Sequence, residues 1–253
     1  GDVEDTYFNL AQTSFNIGTD RITGNAMIRN LTTNMDVDLQ AKGTLNFQNL
    51  AQAFPLPEGM KLDGKLALDM AAKFDMESIE KERYERINTK GTASLSQFKY
   101  EGDALTKPLV INKASIDMTN ARIKLDDFDA QTGNTDLKAS GTINNLLGVM
   151  LQDQDLKGTF NLRSNTLDAA DFMTATEVVP AQKANNTTQT STSAVTEEAI
   201  KIPGFLDANL NFQANRVLYD GLELKNVSGV ALVREETLTL NNVQTDIFDG
   251  TIG

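Results

Sequence analysis

The run MDVDLQAKGTLNF, from Met35 to Phe47, sorts its residues by parity. Met35, Val37, Leu39, Ala41, Gly43, Leu45 and Phe47 alternate with Asp36, Asp38, Gln40, Lys42, Thr44 and Asn46. Successive side chains of an extended strand point to opposite faces, so the run specifies a strand with one dry face and one wet face. Thirteen residues at about 3.4 Å each would reach about 44 Å, and a bend is expected near Gly43. The same pattern returns in LDGKLALDMAAKFDM, which puts Leu62, Gly64, Leu66, Leu68, Met70, Ala72, Phe74 and Met76 on one parity. It returns again in ASIDM, RIKLDDF, DLKASGTI (Leu137, Ile143), LKGTFNL (Phe160, Leu162), FLDANLNFQA (Leu210, Phe212), NVSGVALV and TLTLNNVQTDIF. About a dozen strand-like runs at this spacing predict a mainly β chain, largely antiparallel, in a curved sheet that forms a groove or a sandwich.

The chain also repeats itself. DLQAKGTL at Asp38 is echoed 98 residues later by DLKASGTI at Asp136, with five of eight letters identical. The segments that follow, FQNLAQAF and NNLLGVML, have denser apolar spacing and predict a short helix at the same place in each repeat. A second echo joins FKYEG (Phe98–Gly102) to VLYDG (Val217–Gly221), and the sequence closes on GTIG, the same line again at Gly250. Self-similarity of this kind predicts stacked β units that bury an apolar face only beside their neighbours.

The remaining segments set the organisation. LDAADFM near Leu167 is a third short helical candidate, and the charged run MESIEKERYERIN reads as a solvated surface excursion. The stretch from Thr174 to Ile200 is rich in Thr, Ser, Asn, Gln and Ala and is expected to be a flexible loop. The organisation expected is a repetitive β region over 1–175, a loop over 176–200, and a continuation of the β region over 201–253.

Composition excludes several kinds of chemistry. Of the 253 residues none is Cys, His or Trp. Thiolate catalysis, Cys- or His-ligated metals and the usual histidine-based triads are therefore absent. A net charge of −12 without a dense basic stripe argues against nucleic-acid binding and against docking on anionic headgroups. The only enzyme-like features are carboxylate groups, Asp126, Asp127 and Asp129 after one strand and Asp36 with Asp38 on another. The order of DDFDAQTGNTD does not match a calcium loop, and acids on a wet strand face are normally just solvated. No catalytic residue, metal ligand or cofactor is expected.

The stretch from Leu206 to Gly253 resembles the C-terminal region of AsmA-family proteins, which are related to TamB-like envelope proteins. It carries an alternating strand, a Tyr-x-Gly turn at Tyr219, Asp220 and Gly221, then LELKNVSGVALV and a strand running into DGTIG. The earlier repeats, Asp38 to Met173, fit the same grammar more loosely. The resemblance implies a non-enzymatic envelope protein of Gram-negative bacteria, anchored in the inner membrane by an N-terminal segment lying outside this sequence. Its β body would stand in the periplasm, support outer-membrane biogenesis among other envelope proteins, and handle phospholipid acyl chains on an apolar groove. The loop at 174–200 is not part of the family pattern.

On that reading the apolar face is the candidate site. Its acyl-chain candidates are Val37, Leu39, Leu45 and Phe47, then Leu66, Leu68 and Phe74, then Leu137, Ile143, Phe160, Leu162, Leu210 and Phe212. Tail binding needs dry area and no directional bonds, which such a face supplies. The competing expectation is a face sealed by helices or a second sheet, in a cell-surface module that binds carbohydrate or protein through its loops.

Overall fold

The computed structural model describes residues 6–103, 105–120, 122–174, 199–200, 204–247 and 250–252. Twelve long strands account for most of it. They are β1 (Tyr7–Ile17), β2 (Asp20–Arg29), β3 (Asp36–Asn46), β4 (Lys61–Asp75), β5 (Asn88–Glu101), β6 (Leu109–Asn120), β7 (Arg122–Thr132), β8 (Thr135–Ile143), β9 (Leu156–Asp168), β12 (Leu206–Tyr219), β13 (Leu222–Arg234) and β14 (Thr237–Ile247). Three short strands, β10 (Met173–Thr174), β11 (Ala199–Ile200) and β15 (Gly250–Ile252), complete the β structure. The helices are α1 (Phe47–Ala53), α2 (Met76–Glu80) and α3 (Leu146–Gln152), with single 3₁₀ turns at Tyr84–Arg86 and Ala169–Phe172.

The long strands form one sheet in chain order, β1 through β9 and then β12 through β15. The two outer strands do not pair with each other, so the sheet is open. Neighbours are antiparallel throughout except at β9 and β12, which run parallel from Leu156↔Leu206 to Asp168↔Leu218. A parallel pair needs a long connection, and in sequence residues 169–205 separate the two strands. The two-residue ladder of β10 with β11 lies within that connection. The sequence left a groove and a sandwich open, and the structure is a single sheet with no second sheet of comparable size among the described residues. The expected loop over 176–200 lies outside the described residues except for Ala199 and Ile200. The segments on either side of it join directly through β9 and β12.

Register carries the alternation across the whole sheet. One line of directly opposed residues runs Phe15, Ile22, Gly43, Leu68, Ala93, Ile116, Leu125, Gly141, Phe160, Leu210, Ala231, Leu240, with no polar residue among them. The line beside it runs Gly24, Ala41, Met70, Gly91, Met118, Ile123, Ile143, Gly158, Ala208, Val233, Leu238. A slip of one residue in any strand would turn its apolar set to the other face. Facing apolar pairs contribute about 0.2–1 kcal/mol each relative to alanine, so the lines fix the register of the sheet.

The repeated phrase acquires a geometry the sequence does not show. Gly43 and Gly141 fall on the same cross-sheet line, yet β3 and β8 run in opposite directions. Leu39 therefore lies toward the lower end of the sheet, where β1 and β3 start, and Leu137 toward the upper end, where they finish. The helices that follow the two phrases, α1 and α3, are at opposite ends for the same reason. β3 runs through Gly43 without interruption, from Asp36 to Asn46. A Cβ at Gly43 would lie 2.3 Å from the Arg21 carbonyl oxygen, and one at Gly141 equally close to that of Thr159, so each glycine admits a neighbouring backbone. The second echo keeps its orientation: FKYEG ends β5 and VLYDG ends β12, both at the upper end.

Gly91 combines this close approach with a backbone only glycine adopts easily. Its φ is +116°, and a Cβ there would lie 2.0 Å from the Asp69 carbonyl oxygen. Gly59, in a loop, also has a positive φ of +79° but open space around it. Gly59→Ala is expected to cost about 1 kcal/mol, the conformational penalty alone. Gly91→Ala is expected to cost at least about 3 kcal/mol, because the paired strand must also move. Urea unfolding followed by far-UV circular dichroism compares the two, and equal costs would contradict the close-approach account.

Candidate functional site

Twelve of the thirteen apolar candidates lie on one face of the sheet, strung across it, and the thirteenth, Phe47, begins α1 at the end of β3. Val37 and Phe74 oppose each other near the lower end, in line with Ile28 and Phe8. Leu39 lies on the next line, between Ala26 and Ala72. Ile143 lies on the line that contains Met70 and Met118, and Leu68, Phe160 and Leu210 on the line of Gly43. Leu45, Leu66, Leu162 and Phe212 lie on a third line, joined through Leu95, Ala114, Phe128 and Ala139. Leu137 opposes Ala130 toward the upper end, in line with Ile111 and Phe98. The Phe47 ring stands edge-on to Phe98 at 5.0 Å.

Burial separates these residues. Val37, Phe74, Ile143 and Phe160 are buried, and the other nine are partly exposed. Two buried clusters support the face. One contains Val37, Ala72, Phe74, Ile79, Ile87 and Leu147; the other contains Met118, Ile123, Leu125, Ile143, Phe160 and Ala208. Met70 packs against both. Leu147 follows β8, whereas Val37 and Phe74 lie on β3 and β4, which a flat sheet would place about 20 Å away. The sheet curls to bring them into one cluster, with the apolar face inside the curve.

The lower end is covered by α2 and α3. Asp75 caps α2, accepting from the Ser78 amide at 2.9 Å and the Ser78 hydroxyl at 2.6 Å, while Asn34 donates to it at 2.9 Å. Ile79 of α2 is fully buried. This corrects in part the reading of its charged run as a solvated excursion: the charged residues 80–82 and 85–86 are exposed, but Ile79 and Ile87 of the same run are buried and seal the end of the sheet. Asn145, also buried, donates to the Asp155 carbonyl at 2.7 Å and accepts from the Lys157 amide at 2.8 Å. Tyr84 donates to Gln154 at 2.9 Å, and Lys157 pairs with Glu82 at 2.6 Å, so the β9 entry is tied to the segment after α2.

The upper end is held by the turn at Ala169–Phe172. Its buried Asp171 carboxylate accepts from the Asn134 amide at 2.8 Å, the Thr135 amide at 2.9 Å and the Thr135 hydroxyl at 2.8 Å. Thr106, in the β5–β6 loop, donates to the Asp171 carbonyl. Between the two tied ends, Ile22, Leu66, Leu68, Leu95, Ile116, Leu162, Leu210 and Phe212 remain partly exposed; α1 packs on β4 at the upper end, and among the described residues no second sheet of comparable size lies over the face.

The other face is polar and cross-braced. Lys42 pairs with Asp69 at 2.6 Å, Lys113 with Asp127 at 2.5 Å and Lys124 with Asp126 at 2.5 Å. Glu101 lies between Lys61 at 2.8 Å and Lys99 at 2.6 Å, whose hydrogen bonds and charges pull its carboxyl down to about 2. Such exposed pairs contribute about 0–1 kcal/mol each. Asp126 and Asp127 are engaged in these pairs, and Asp129 accepts from Asn112 at 2.8 Å. Among the described residues no group of three acids is placed to hold a metal ion.

Sequence reasoning missed two contributions to the site. The face extends over β1 and β2 through Phe15, Ile22, Ala26 and Ile28, and the alternation in RITGNAMI is the signal for it. Of the polar residues that tie the ends, Gln154 and Asp171 carry no local signal, because Tyr84, Asn134 and Thr135, which they bond, are remote in sequence. Comparison of the chain with protein-family models, curated proteins and solved structures finds no match. No helix among the described residues is long and apolar enough to cross a membrane.

The α2 cap has a defined pH response. Bonds from Ser78 first, then Asn34 and the Ser78 amide, and the charge of Arg86 hold the Asp75 carboxyl below its ordinary 3.8 against the opposing effect of burial. A lowered native value stabilises the fold above the unfolded value, and that stabilisation is lost as pH falls through the native one. Asp75→Ala is expected to cost about 1–2 kcal/mol at pH 7. The difference from wild type should shrink below about pH 4. Urea midpoints measured from pH 7 to pH 2.5 test this, and a pH-independent difference would contradict it.

Proposed function

We propose that this chain is the β body of a non-enzymatic, AsmA-like envelope protein that holds or conducts phospholipid acyl chains along its apolar face. The observation that carries the reading is the unbroken apolar line across twelve strands, partly exposed between two tied ends. At roughly 4.8 Å per strand the line measures about 50 Å, well beyond the length of one acyl chain. Along the line from Phe15 to Leu240 the lining groups are all hydrocarbon or backbone, which suits ligands that need dry area without directional bonds. Each methylene seated there contributes about 0.8 kcal/mol, so part of one tail gives useful affinity. The acidic surface leaves headgroups in water, since nothing in the composition marks a phosphate-binding stripe.

The AsmA resemblance supplies the setting: the periplasm, an inner-membrane anchor outside this sequence, and a role in outer-membrane biogenesis beside other envelope proteins. Lipid extraction and mass spectrometry of the purified chain test the binding reading. Phospholipid is expected to copurify. Leu66→Asp and Leu68→Asp, each at a partly exposed lining position, are expected to reduce it at least about tenfold with an unchanged far-UV spectrum. If no phospholipid copurifies and both variants unfold, the face is an ordinary sealed core and the reading fails.

A further inference from the structure

One hydroxyl on the apolar face has nothing to bond. Ser164 shares its parity on β9 with Phe160 and Leu162, so its side chain stands on that face. Toward the upper end a further line crosses the sheet, through Phe98, Ile111, Ala130 and Leu137 on β5 to β8 and through Ser164, Ala214 and Val227 on β9 to β13. Ser164 is the one polar residue among them. It is 6% exposed, and its Oγ is out of contact with solvent and makes no hydrogen bond. The buried hydroxyls at the two tied ends are satisfied, that of Ser78 by Asp75 and that of Thr135 by Asp171. The other buried oxygen without a hydrogen bond among the described residues, Asp36 Oδ1, has the Arg29 guanidinium at 3.5 Å. A buried hydroxyl without a partner destabilises a fold, and alanine would fill the same space without that penalty.

We propose that Ser164 donates to the ester carbonyl of a seated phospholipid chain and so fixes where the tail begins. This rests on the acyl-chain reading above and adds to it the linkage that is recognised. A serine hydroxyl has one proton to donate, and an ester carbonyl accepts without a proton of its own. Leu162 and Phe212 oppose each other one line further down and are partly exposed. The first methylenes rest on that pair while the carbonyl lies against Ser164, and Phe160 and Leu210 form the next line below. A free carboxylate fits less well, since it would bring a charge among Leu137, Ala214 and Val227 with no cation on the line. Ser164 is not set up as a nucleophile either: no base bonds its hydroxyl, and the chain has no His. Because the Oγ is covered, the ester reaches it by parting the side chains over it, so the contact forms only as the lipid seats.

The delipidated full chain, incubated with an equimolar mixture of diester and diether phosphatidylcholine of the same chain length, tests this. The ether lacks the carbonyl and changes little else. Bound lipid, extracted and quantified by mass spectrometry, is expected to favour the diester at least about fivefold in the wild type. Ser164→Ala is expected to bring that ratio to about one. Because it removes an unpaired hydroxyl, the same variant is expected to unfold at an equal or higher urea midpoint than the wild type. The ratio is internal to each sample, so it does not depend on the fraction of protein that is folded. Oleate added at equal concentration is expected to leave the bound diester unchanged. A wild-type ratio of about one, a ratio that Ser164→Ala leaves unchanged, a lower urea midpoint for that variant, or displacement of the diester by oleate would each overturn the ester contact while leaving the acyl-chain reading in place. If neither phosphatidylcholine binds, that reading fails and the contact fails with it.

Discussion

The structure depends on register. A one-layer sheet has no opposing sheet to define which side is inside, so its apolar face exists only because every strand sets its apolar parity in line with the next. Here the line holds from Phe15 on β1 to Leu240 on β14. Glycines occur on it where strands approach too closely for a side chain, as at Gly43 and Gly141. Large residues close the gaps those glycines leave. Phe160 lies within 3 Å of where a Cβ would be at both Gly141 and Gly158, and Phe212 covers Gly229. The curvature and the dryness of the face thus come from one pattern of small and large residues on one parity.

An open curved sheet also needs its ends held. The lower end uses apolar burial, with Ile79 and Leu147 packed on Val37 and Phe74. The upper end uses a buried carboxylate, Asp171, satisfied by two amides and a hydroxyl around the β7–β8 turn. The lower fastening joins elements several strands apart, and the bond from Thr106 to the Asp171 carbonyl does so at the upper end, so both ends oppose flattening of the sheet. Neither reaches the middle lines, and that leaves Leu68, Ile116 and Leu210 in contact with solvent.

Much of this was legible from alternation alone. The parity of Val37, Leu66, Phe160 and Phe212 placed them on one face without any knowledge of pairing, because side-chain period in a strand is fixed by the backbone. The direction of the repeated phrase was not legible. DLQAKGTL and DLKASGTI read identically up or down a sheet, and only the count of intervening strands sets β3 and β8 antiparallel. The burial of Ile79 was hidden by its charged neighbours, and the roles of Gln154 and Asp171 by the sequence distance to Tyr84, Asn134 and Thr135. Whether the face is open or sealed depends on which elements cross it, which local periodicity does not encode.

The central claim is that the middle of the apolar face is reachable from solvent and that lipid occupies it. Because the chain has no cysteine of its own, a single Leu68→Cys variant reports on this without background. Its alkylation rate by a small maleimide, measured in delipidated protein and again after incubation with phosphatidylcholine vesicles, separates the cases. The account predicts ready alkylation without lipid and slowing of at least about tenfold with it. A cysteine that fails to react in delipidated, folded protein, or one that reacts at the same rate with and without lipid, would contradict it.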